Sequence, residues 1–234
     1  MPRISRSWLA AGVLLATAPL HAQAPSTPAQ TSTPAAIHPA PAADSAQVAL
    51  RQRFAADVIA AAKATSETAA GLVIFAADPA TGRTELKLAH ATVTEAALAP
   101  VVDRIRNEMT AIAAAGPQLW HVRLDAAPPA PGGRATQPVI DNPRQVRALV
   151  NRFVTQHFTD IFQGRRGIRV DLQLVVARDG EVAYARLARS CGNPVVDAEA
   201  LRIAPTMRFQ PARVGDQPVD TRISFPLYFV LGEA

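Results

Sequence analysis

Ser190 and Cys191 stand side by side, and a hydroxyl next to a thiol is where a search for covalent chemistry begins. Such a group becomes a nucleophile only when a base takes its proton, and no histidine lies in the local sequence to do so. His21, His38, His90, His121 and His157 are scattered along the chain. His157 falls on the apolar side of a helical pattern, where a ring packs more often than it ligates. The sequence has no H-E-x-x-H, no G-x-S-x-G and no phosphate-loop pattern, and its lone cysteine cannot supply a Cys-pair metal site. No catalytic residue, metal or cofactor is therefore expected, and an envelope enzyme is only a remote alternative. Gly164-Arg165-Arg166-Gly167 is a basic turn. Its guanidiniums suit phosphate or lipid headgroups, which implies either transient membrane contact or a plain solvated loop.

Composition bounds the class and the compartment. The chain has 234 residues, 49% of them hydrophobic, and a formal net charge of +5. That is enough for one or two small domains. Lys63 and Lys87 are the only lysines, and the remaining cations are arginines. Arg3 and Arg6 precede an apolar run at 8–20, roughly 13 residues where ~20 are needed to span a bilayer. His21-Ala22-Gln23-Ala24 follows as a small-residue zone. Together these read as a signal peptide over 1–24, cleaved after Ala22 or Ala24, and hence as a periplasmic protein. An uncleaved inner-membrane anchor is the alternative. With Cys191 as the only cysteine, no intramolecular disulfide is available to an exported chain. Export also argues against nucleic acid as a partner despite the basic charge.

Two Pro-rich stretches, 25–43 and 126–142, read as linkers. Between them, 44–125 reads helix, strand, strand, helix, strand. Ser45 is the expected N-cap of the first helix, with Val48, Leu50, Phe54, Val58, Ile59 and Ala62 on its apolar side. A turn at 78–82 separates the first two strands. Leu98, Val101, Val102, Ile105, Met109 and Ile112 then recur at steps of three and four, a second amphipathic helix with Pro100 in its first turn or at a kink.

The remainder, 143–234, repeats the order. Asn142-Pro143 reads as N-cap and first helical residue, and Val146, Leu149, Val150, Phe153, His157, Phe158, Ile161 and Phe162 as one face. Ile168, Val170, Leu172, Leu174 and Val176 alternate as a strand, Asp179-Gly180 turns it, and Asn193-Pro194 opens a short helix that Pro205 stops. Both segments share one element order, so the first reads as a degenerate copy of the second. Their charges differ: 44–125 has 8 Lys+Arg against 9 Asp+Glu, whereas 143–234 has 13 against 9. The second segment is the one suited to an anionic partner.

Several pieces of the second segment occur in a telling order. "VDLQLVVARDGEV" carries Asp179-Gly180, and Ser190-Cys191-Gly192 and Val196-Asp197-Ala198-Glu199-Ala200-Leu201 follow. Arg208-Phe209-Gln210-Pro211-Ala212 and Gly215-Asp216-Gln217-Pro218-Val219 then lead into "TRISFPLYF". Residues 170–229 resemble the C-terminal domain of TonB-family energy transducers. Pro205, which shortens the helix, departs from that pattern.

The resemblance implies an α+β domain whose small antiparallel three-stranded sheet packs against helices, preceded here by the degenerate α-β-β-α-β segment. It further implies binding to an envelope protein or an outer-membrane receptor peptide through an exposed edge strand; a homodimer is a separate expectation. Asp179, Gly180, Gly192, Asp197, Arg208, Phe209, Pro211, Gly215 and Pro218 are the structural motif residues it implies. Pro226 fits on physical grounds, because a strand accepts proline only where the missing N–H faces no neighbour. Arg222, Ser224, Pro226 and Tyr228 would then face outward at the edge, opposite the core-facing Ile223, Phe225, Leu227 and Phe229. The short apolar run and brief tether differ from an anchored energy transducer, which stays as the alternative role.

Overall fold

Leu50, Phe54, Val58 and Ala62 fall every four residues, and that spacing puts all of them on the buried side of helix α1 (Ala42–Thr65). The computed structural model describes residues 42–78, 81–111, 117–125, 134–162 and 167–230. The expected signal peptide, most of the 25–43 linker, the centre of the 78–82 turn, Ile112, and Arg165-Arg166 lie outside them. So do the side chains of Met109 and Phe158. The chain divides into two compact units, with the division after Asp125.

Two expectations for α1 are corrected. Ser45 is not an N-cap, because the helix already runs from Ala42; alanines are the strongest helix formers and carry it back into the stretch read as linker. Val48 is 55% exposed. It stands two residues from Leu50, about 200° around the helix, and so points away from the core.

In the first unit β1 (Leu72–Asp78) pairs antiparallel with both β2 (Arg83–Ala89) and β3 (Gln118–Arg123), in the order β2-β1-β3. Helix α2 (Glu95–Ala111) buries Leu98, Val101, Val102 and Ile105 against the same core. Pro100 lies inside it, beyond the first turn. Phe54, Phe75 and Trp120 meet at ring-centre distances of 5.4 to 5.8 Å. The seam between the helices is closed by Arg53 with Glu108 at 2.9 Å and Arg104 with Asp57 at 2.5 Å.

The second unit begins inside the stretch read as linker. β4 (Ala135–Thr136) and β5 (Val139–Ile140) precede α3 (Pro143–Phe162), β6 (Gly167–Val176), β7 (Val182–Arg189) and α4 (Pro194–Ile203). A 3-10 turn over Ala204–Thr206 contains Pro205. The chain then forms β8 (Phe209–Gln210), β9 (Ala212–Val214), β10 (Gln217–Val219) and β11 (Thr221–Val230). The main sheet has the order β11-β6-β7, antiparallel throughout. β4 joins β9 and β10 in a small sheet, and β5 pairs with β8. The linker reading of 126–142 thus fails for its last residues. Extended two-residue segments pairing far along the chain have no periodicity to read.

Each unit therefore sets its first long strand between the second and the last, with a helix before and between. In the second, Val146, Val150, Phe153, Val154, Ile161 and Phe162 of α3 and Val196, Ala200 and Ile203 of α4 cover Ile168, Val170, Leu172 and Leu174 of β6.

Candidate functional site: the outer strand β11

β11 lies against β6 in an unbroken register, from Thr221 opposite Val176 to Val230 opposite Gly167. Among the described residues it has no strand on its other side. Pro226 stands opposite Asp171. Because proline has no N–H, this must be one of the wide pairs, whose backbone polar groups point away from each other. Alternation then fixes the rest of the strand. Arg222, Ser224, Pro226 and Tyr228 direct their backbone groups to the outer side, and Ile223, Phe225, Leu227 and Phe229 direct theirs to β6.

The side chains divide along the same alternation. Leu227 and Phe229 are fully buried, and Ile223 and Phe225 pack partly buried against the same core. Phe229 meets Phe153 edge-on at 5.6 Å. Arg222 and Ser224 are exposed, while Pro226 and Tyr228 are half-buried on the opposite face. There Asp171 receives the Arg169 Nε at 2.6 Å and Arg189 Nη2 at 3.3 Å. The Asp171 carboxylate raises the pKa of the Arg169 guanidinium above its ordinary value. That guanidinium also sits 5.7 Å from the Tyr228 ring centre. A shallow depression over Pro226 is bordered by Arg169, Arg189 and Ser224. This face is basic and aromatic, next to a strand with one donor missing.

The motif residues lie between β6 and β11 in the chain, and one of them, Phe209, reaches β11 itself. Asp179 accepts from the Glu181 N–H at 2.9 Å, and Gly180 turns with φ +86°. The Phe209 N–H donates to the Gly180 carbonyl at 2.9 Å, which joins the turn to the Arg-Phe-x-Pro segment. Arg208 pairs with Glu181 at 3.2 Å. Phe209 is buried and meets Phe225 of β11 edge-on at 5.8 Å. Pro211 separates β8 from β9, Gly215 makes the β9–β10 turn with φ +61°, and Pro218 lies in β10, an outer strand of its sheet.

Gly192 has φ +84° in the turn before α4. Asp197 is 7% exposed and accepts from Ser190 Oγ and from the Cys191 N–H. Burial raises its pKa, but those hydrogen bonds outweigh burial and hold the carboxyl below its usual range. Ser190 Oγ is thus engaged by a structural carboxylate, and burial pushes the Cys191 thiol up, away from the reactive thiolate. The pair has the surroundings of a helix cap. Helix α4 itself is capped as expected, Asn193 Oδ1 accepting from the Val195 and Val196 N–H groups.

Asn142 does something else. Its carbonyl accepts from the Val146 N–H, as an N-cap backbone should. Its side chain instead accepts from the Arg208 N–H at 2.8 Å and donates to the Thr206 carbonyl at 2.9 Å. It is a clamp between α3 and the motif strand, and nothing in the local sequence distinguishes it from a cap. His157 is half-buried at a non-helical point in α3 (φ −120°, ψ 20°), stacked 4.6 Å from Phe153. It packs, as the apolar face implies.

Residues 163–231 match the family model for the Gram-negative bacterial TonB protein C-terminal. These residues form a TonB-type C-terminal domain. The chain matches no curated protein and no solved structure. A TonB-type domain belongs to a transport-associated, non-enzymatic family of the Gram-negative envelope, with a role in protein interaction. Among the described residues no helix is long and apolar enough to cross a membrane.

Proposed function

We propose that the TonB-type domain is a periplasmic interaction module that binds an extended segment of an envelope protein or outer-membrane receptor by strand addition to β11. The observation that carries this reading is Pro226. It interrupts a 10-residue strand without interrupting its pairing to β6, which is compatible only with an outer side that needs no donor at that point. An added strand would meet the Ser224 and Tyr228 N–H groups and the outward carbonyls, and these backbone pairs would supply affinity. Arg222 and Tyr228 would supply selectivity, favouring an acidic residue in the partner. The missing donor limits how long a pairing β11 can offer, which protects the domain from pairing with itself. The first unit, with the same element and sheet order, is read as a diverged copy.

Isotope-edited NMR of the full chain with an extended acidic receptor peptide tests this. Shifts should concentrate at 221–228, Arg222→Glu should weaken binding without unfolding, and Ser224→Pro should remove a second donor on the same side and weaken it further. Undiminished binding by the folded Ser224→Pro variant would remove β11 from consideration. Pairing of β11 with a second copy would appear instead as self-association without peptide.

The family match favours a second reading, a membrane-anchored energy transducer. It requires residues 8–20 to remain as an inner-membrane anchor, and the N-terminal residue of the mature protein decides between the two. A start at Gln23 or Pro25 supports the periplasmic module; an intact Met1 supports the transducer.

A further inference from the structure

The two units treat the seam between their helices differently. In the first, two ion pairs close α1 against α2. In the second, no ion pair crosses from α3 to α4 among the described residues, and the seam opens into a groove of about 630 Å³. Its apolar walls are Leu149 and Phe153 of α3 and Pro194, Val195 and Ala198 of α4. Val195 is 51% exposed. A branched apolar side chain half in water at the mouth of an apolar groove is a surface that loses free energy when covered.

The rim sets the charge of what would cover it. Glu199 is buried and turned along its own helix to Arg202, with contacts of 2.7 and 2.5 Å, so that pair is neutral. Arg152 borders the same groove from α3, is exposed, and has no ion-pair partner among the described residues. The groove is therefore largely apolar inside, with Gln156 and His157 as further polar lining, and cationic at one lip. A guanidinium at that lip prefers a carboxylate, and a basic segment would be repelled.

We propose that the α3–α4 groove docks an amphipathic helical segment of a partner protein, one that sets a carboxylate beside a branched apolar side chain. The apolar residue covers Val195 and Leu149, and the carboxylate pairs with Arg152. The groove lies in the helical layer and β11 in the sheet, so this site stands or falls independently of strand addition.

The test titrates the full chain with a fluorescein-labelled helical peptide of about 15 residues, its leucines at i, i+4 and i+7 flanked by glutamates. Anisotropy reads affinity and NMR shifts read location. Saturable binding is expected, with shifts at Leu149, Phe153, Val195 and Ala198. Val195→Glu and Arg152→Glu should each weaken it about tenfold, the usual size for a central contact, with melting temperatures unchanged. Replacing the glutamates by lysines should abolish binding, and Ser224→Pro should leave it intact. Absence of binding, equal affinity in both groove variants, or shifts confined to β11 would overturn the proposal. Self-association of the full chain lost on Val195→Glu would make a second copy the occupant. Binding to phosphatidylglycerol vesicles lost in the same variant would make it a membrane, and either result also overturns the proposal.

Discussion

The carbonyl oxygen of Phe209 occupies the space that a β-carbon on residue 180 would need, so only glycine fits at Gly180. The same two residues are joined by the Phe209 N–H donating to the Gly180 carbonyl. Two motifs twenty-nine positions apart in the chain are thus one contact in the fold. Gly180→Ala must both hold alanine at φ +86° and push back a backbone segment. The first alone costs about 1–2 kcal/mol, and the second adds to it. Urea unfolding should show a loss of at least about 2 kcal/mol; an unchanged midpoint would mean the approach is not so close.

Phe209 is expected to be structural. It is 5% exposed and edge-on to Phe225, so Phe209→Ala should cost ~3–5 kcal/mol. Its ring contact is with Phe225 of β11. That contact makes a sharper prediction. Hydrogen exchange at the Phe225 amide, which points to β6, should accelerate in the variant more than at Val146 on α3. An unchanged melting temperature would assign the motif some other task.

Asp197 gives the domain an acid-sensitive element. Its folded pKa is depressed, because the hydrogen bonds from Ser190 and Cys191 favour the charged form. The unfolded carboxyl titrates at about 3.9. Its contribution is therefore complete above about pH 4 and is lost as pH falls through the lower folded value. Asp197→Asn should be less stable than wild type at pH 7 and should show a shallower loss of stability below pH 4. Parallel acid-unfolding curves for the two proteins would contradict this.

How much of this was legible beforehand depends on the range of the interaction. Strands β6, β7 and β11, helix α4 with its Asn193 cap, and the outward set Arg222, Ser224, Pro226 and Tyr228 follow from period-two alternation and from what proline cannot do. Those are properties of neighbours along the chain. Asn142, by contrast, looks like any N-cap, and only the arrival of Arg208 beside it makes it a clamp. β4 and β5 are extended only because β9 and β8 pair with them. The open groove between α3 and α4 was also unreadable. It depends on which way Glu199 turns, and an acid three residues before an arginine on a helix says only that the two can meet.

Pro226 allows the strongest test of what the outer strand is for. Pro226→Thr restores an N–H on the outer side of β11 and puts a good strand former in a strand position. Stability should change little, because the residue opposite, Asp171, is in a wide pair and takes no hydrogen bond from position 226 in either protein. The outer side, however, would then offer donors at every second residue across most of a 10-residue strand. Such an edge is a template for pairing. Sedimentation velocity should show the variant self-associating at concentrations where wild type stays monomeric, and Ser224→Pro added to it should reverse the effect. The extended receptor peptide should compete with that self-association, since both use the same donors. If Pro226→Thr stays monomeric and binds the peptide no more tightly than wild type, the missing donor has no bearing on edge pairing, and proline stands there for stiffness alone.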